Sequence, residues 1–212
     1  MSVQATIPEF RIYLREPVEE IFDAARYLDA AVSAHAAGRK DLARELIGLA
    51  DMPAISDWSE SLWGRGGPWT RPYPTDEATP SLSRGQRIGE RMPSAAIKRA
   101  ALGRDGFQCR FCSIPLITAE RRDSIRAQYP DVARWGSRNA EQHSAFQAMW
   151  LQYDHVIPSS RGGSNELDNI VVTCAPCNNG RAHLTLAEAR LTDPRLRAPI
   201  KTHWDGLERF RP

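Results

Sequence analysis

Apolar residues recur at helical spacing along the first third of the chain. Val18, Ile21, Phe22, Ala25, Leu28 and Val32 share one face of a helix predicted over 17–37, with Pro17 suited to its first turn and Gly38 ending it. Arg39 to Ala50 predicts a second helix with Leu42, Leu46 and Leu49 on one face. A shorter helix over 53–63 packs Ile55, Trp58 and Leu62. This is a helical hairpin with a cap, too short for a repeat array. The periodicity then stops: residues 64–93 hold five glycines and five prolines and read as an extended linker or wrapping arm. Ser94 can cap a helix through about Leu102, and further helices are expected near 118–128 and 138–148.

From residue 149 the pattern changes. MWLQYDHVIP reads as a strand, SSRGGSNELDN as a loop, IVVTC as a second strand, and CAPC as the opening of a short helix. Thr185 and Glu188 form a capping box for one more helix. The expected fold class is α+β: a mainly helical chain with a small strand–loop–strand–helix unit. No apolar run reaches the roughly 18 residues of a membrane span, and the N-terminus lacks the apolar core of a signal peptide, so the expectation is a soluble cytoplasmic chain.

Charge divides the chain unevenly. Residues 1–63 hold 6 basic and 11 acidic side chains, and residues 64–212 hold 22 and 15, which sums to the net +2. Nearly all the basic residues are arginine, which grips phosphate bidentately; the basic part suits a polyanion and the acidic part does not. Arg65, Arg71, Arg84, Arg87 and Arg91 of the arm are candidates for a phosphate backbone or for plain solvation.

The four cysteines form two Cys-x-x-Cys pairs, Cys109/Cys112 and Cys174/Cys177, with 61 residues between them. In a reducing compartment such pairs are metal knuckles, and together they make the four-thiolate set of a structural zinc. The long gap is no obstacle, because loop-closure entropy grows only logarithmically.

Near the second knuckle lie groups that zinc does not need. If the strands form a hairpin and the helix after Cys177 folds across it, Asp154, His155 and the first helical residues converge. Adjacent strand residues point to opposite faces, so Asp154 and His155 cooperate only where the strand twists or ends; Pro158 and the glycines beyond suit an ending. Asp154 and Asn178 offer hard oxygens for a magnesium-type cation. Neutral His155 can take a proton from water, and the Asn169 amide can pin a backbone carbonyl nearby. Asn178 is favoured over Asn179 because it follows Cys177 directly.

These residues resemble the motif of the HNH endonucleases, with its ββα-metal finger: Asp154-His155, then Asn169, then Asn178. The paired cysteines and the entry RDGFQCRFC resemble the zinc-containing branch. The resemblance covers about residues 94–192. It implies His155 as general base, Asp154 and Asn178 as ligands of a catalytic Mg²⁺ or Mn²⁺, Asn169 as the orienting residue, and DNA cleavage by hydrolysis. The third motif position is Asn rather than His, which bears on metal preference. The spacer before Asp154 is long, so 113–148 reads as a helical insertion. The resulting division is a helical domain at 1–63, an arm at 64–93 and a nuclease domain at 94–212.

Arg161, Arg181 and His183 are candidate nucleic-acid contacts, with DNA the expected partner and RNA still open. Small HNH proteins serve in restriction or phage defence, sometimes beside an ATPase, and the acidic N-terminal helices could dock such a partner. The alternative is a zinc-stabilised nucleic-acid-binding or adaptor module without turnover.

Overall fold

The computed structural model describes residues 9–63, 67–76, 79, 81–86 and 92–212. Of the arm arginines, Arg65, Arg87, Arg91 and the side chain of Arg84 lie outside this set. Arg71 stacks over Tyr73.

Helices α1 (Glu20–Ala36) and α2 (Lys40–Leu49) form the expected hairpin, and α3 (Pro53–Ser61) starts with proline in its first turn. Helix α1 buries Ile21, Ala24, Ala25, Leu28, Ala31 and Val32. Helix α2 departs from the predicted face. Ala43, Ile47 and Ala50 enter the core, Leu42 and Leu46 only flank it, and Leu49 is exposed. Alanines allow a close approach to α1 that a leucine stripe would block. In and just after α3, Ile55, Trp58 and Leu62 are fully buried, and the Trp58 indole N–H donates to the Glu16 carbonyl at 2.7 Å.

One apolar core runs from these helices into the rest of the chain. Helix α4 (Ala95–Asp105) is capped by Ser94, whose hydroxyl accepts from the Ile97 N–H at 3.3 Å. At its other end, the buried Asp105 carboxylate accepts from the Val172 N–H at 3.0 Å and from Arg104. The chain then makes the first knuckle, closed by a bridge between Gln108 and Pro115.

Ile117 pairs in parallel with Trp150, so everything between leaves and returns at one place. That excursion holds α5 (Ala119–Gln128) and α6 (Ser144–Ala148). The helix expected over 138–148 is a correction: only a single 3-10 turn (Asn139–Glu141) precedes α6, because Gln142 and His143 adopt extended backbone. His143 has another task. Its Nδ1 accepts from the Phe146 N–H at 3.5 Å, capping α6, while Nε2 meets the Ile47 carbonyl at 2.9 Å.

Strands β1 (Leu151–His155) and β2 (Ile170–Cys174) pair antiparallel, from Leu151 opposite Cys174 to His155 opposite Ile170. Helices α7 (Ala175–Arg181) and α8 (Leu186–Ala189) follow, α8 with the predicted capping box. Gly180 lets α7 sit on the N-terminal part. A Cβ there would lie 2.8 Å from the Leu62 carbonyl oxygen and 2.9 Å from Leu14 Cδ1. Among the described residues no helix is long and apolar enough to cross a membrane.

Candidate active site

The two knuckles converge as the cysteine spacing predicts. The four sulfurs lie within 4.8 Å of one another, all buried, and Cys112 Sγ is 3.6 Å from Cys174 Sγ. A tetrahedral ion with bonds of about 2.3 Å would space its sulfurs by roughly 3.8 Å. The sulfurs of Cys109 and Cys174 also accept backbone N–H groups from Cys112 (3.5 Å) and Cys177 (3.4 Å). Burial pushes the thiols of Cys112 and Cys174 up, whereas Cys109, although burial opposes it, is held low by hydrogen bonds with the other cysteines and Thr173. The donor set fits a metal ion such as zinc.

Strand β1 ends where the chemistry begins. Past His155 the strand pairing gives way to the Val156 N–H donating to the Asn169 carbonyl at 2.8 Å. The Asn169 side chain then fastens the loop. Its Oδ1 accepts from the Ile157 N–H at 2.8 Å, and its Nδ2 donates to the carbonyls of Ile157 (3.1 Å) and Ser164 (2.9 Å). Gly163 packs so tightly on the Ile157 carbonyl that a side chain would overlap it. Asn169 is thus a backbone clamp on the loop that follows β1.

Asp154, His155 and Asn178 all border one open cleft of about 900 Å³, together with Tyr153, Asn179 and His183. Asp154 and His155 are 6% and 9% exposed, enough to touch solvent while held from behind. The His155 Nε2 lies 2.7 Å from the Asn165 Oδ1.

Arg181 holds Asp154. Its Nη2 donates to Oδ1 and Oδ2 at 2.7 Å, and its Nε to Oδ2 at 3.0 Å. The remaining donors reach the carbonyls of His155, Val156 and Leu184. Burial pushes the Asp154 carboxyl above the usual carboxylate range, with Arg181 opposing. A carboxylate offers about four lone-pair sites, so the pair leaves Asp154 some capacity towards the cleft.

Two expectations are corrected here. Arg181, 1% exposed, is no phosphate contact; it faces inward because a buried carboxylate demands a cation. Arg161 is committed as well, to Glu188 at 2.8 Å and to the Thr79 carbonyl. His183 is exposed on the cleft. Asn165 was missed, since an asparagine in a glycine-rich loop reads as a turn residue.

A four-cysteine cluster able to hold a metal ion thus accompanies a two-strand, one-helix unit whose acid, imidazole and amide border one cleft. Residues 143–191 match the family model described as HNH endonuclease. That segment, 49 residues by count, is thus similar to the HNH endonuclease family. Comparison with curated proteins and with solved structures gave no match.

Proposed function

We propose that the chain is a metal-dependent endonuclease that hydrolyses phosphodiester bonds in DNA. The observation that carries this reading is the cleft shared by Asp154, His155 and Asn178, inside the matched segment and next to the four-cysteine cluster. The cysteine cluster, with zinc, holds the scaffold. Asp154 and Asn178 present a carboxylate and an amide oxygen, a hard donor set suited to Mg²⁺ or Mn²⁺. A cation bound there would supply positive charge to the phosphate and its leaving oxygen. A ring nitrogen of His155 takes the proton from the attacking water. Asn169 keeps the loop beyond β1 closed, so the ring does not drift. Arg181 holds the Asp154 carboxylate in one orientation from the protein side.

A binding module without turnover has no use for a base, a carboxylate and an amide on one cleft. The test is plasmid nicking with Mg²⁺ or Mn²⁺, wild type beside His155→Ala. The variant should lose about 10²- to 10⁴-fold in rate while keeping its far-UV circular dichroism. Equal cutting by both proteins would remove His155 from the mechanism, and no cutting by either would favour the binding module.

A further inference from the structure

Among the described residues the His155 ring makes one hydrogen bond, from Nε2 to Asn165 Oδ1 at 2.7 Å. An asparagine amide has an oxygen that only accepts and a nitrogen that only donates, and which end faces the ring decides where the ring proton sits. A contact to the segment before α4 favours one choice. The Asn165 Nδ2 lies 3.5 Å from the backbone carbonyl oxygen of Met92. A carbonyl cannot donate, so it faces the NH₂ end and Oδ1 is left facing His155. Because Oδ1 accepts, Nε2 of the neutral ring carries the hydrogen. The lone pair then sits on Nδ1, on a ring that borders the cleft.

We propose that Asn165 is a positioning residue that locks neutral His155 in its Nε2–H form and so makes Nδ1 the proton acceptor of the site. The loop does not need Asn165 for closure, since Asn169 and Gly163 already bind it to the end of β1. The chemical use of Nδ1 rests on the nuclease reading above; the tautomer does not. The Met92 carbonyl belongs to the segment leading into α4. The setting of the ring therefore passes from that segment through one amide to the imidazole.

The experiment uses the full chain with ¹⁵N-labelled histidine at alkaline pH. Long-range ¹⁵N–¹H correlation separates a protonated ring nitrogen from a bare one. Wild type should show Nε2 protonated and Nδ1 bare. Asn165→Ala should populate both forms, and Asn165→Asp, which keeps an acceptor oxygen, should restore the wild-type pattern. In plasmid cleavage Asn165→Ala should lower kcat about 10- to 100-fold, the range for loss of a functional histidine's partner. KM should stay within about twofold, and Asn165→Asp should recover part of kcat. A wild-type proton on Nδ1, an Asn165→Ala spectrum like wild type, or mixed tautomers with unchanged kcat would each overturn the proposal. The stated spectra from a chain that cuts no DNA would uphold the hold on the ring and overturn the nuclease reading instead.

Discussion

Replacing Arg181 with methionine tests the interior of the site most directly. The side chain is 1% exposed and its Asp154 partner 7%, so neither charge has water to fall back on. Arg181→Met keeps the stem and removes the charge. It strands the carboxylate together with the carbonyls of His155, Val156 and Leu184. Stranding one member of a buried pair costs about 3–5 kcal/mol. In a chain of this size each kcal/mol moves Tm by about 2–4 °C, so a fall on the order of 10 °C is expected. Pairing Arg181→Met with Asp154→Leu removes both charges and should recover most of the loss. Thermal unfolding of the four proteins, followed by circular dichroism, completes the cycle. If Arg181→Met stays within about 0.5 kcal/mol of wild type, the guanidinium is not buried as described. A double variant no more stable than Arg181→Met would equally sink the argument.

The other predictions concern the scaffold. The four-cysteine cluster is expected to hold a structural ion: Cys177→Ser, or a strong chelator under reducing conditions, should abolish cooperative unfolding, and unchanged unfolding of a metal-free chain would refute such an ion. Burial keeps His143 uncharged and its pKa below the ordinary value, with Asp51 opposing and Arg134 reinforcing. A depressed histidine contributes stability that is complete above the unfolded pKa of about 6.5 and is lost as pH falls below it. Urea unfolding should weaken over that window with the uptake of about one proton, and His143→Gln should flatten the fall. Asp51 acts lower on the scale. Although burial opposes it, the Ser144 N–H and Arg134 hold its carboxyl below the usual range, so its contribution is lost only at more acid pH.

Much of the site was readable because its chemistry demands particular residues. Two Cys-x-x-Cys pairs read as one four-thiolate set across any gap. The strand–loop–strand–helix order followed from turn residues and the β-branched run IVVTC. What escaped depended on which way a helix turns. Arg181 stands three residues after Asn178, which on a long surface helix would put both on one face. Helix α7 has only seven residues and is packed against Leu14 and Leu62, so Arg181 points inward. The face of α2 was misread for a similar reason, since small residues rather than large ones set the approach of two helices. No periodicity marks Asn165, whose role exists only once β1 and the loop have folded beside each other.

The missing side chain at Gly180 has a consequence for anyone wishing to transplant the strand–loop–strand–helix unit. The helix that begins with the metal-gripping turn rests its back on Leu14 and on the carbonyl of Leu62. A graft cut at residue 94 would leave the side of α7 at Gly180 bare. The transplantable unit therefore includes the opening helices, and a ligand clasping those helices would press on the same lever that carries Asn178.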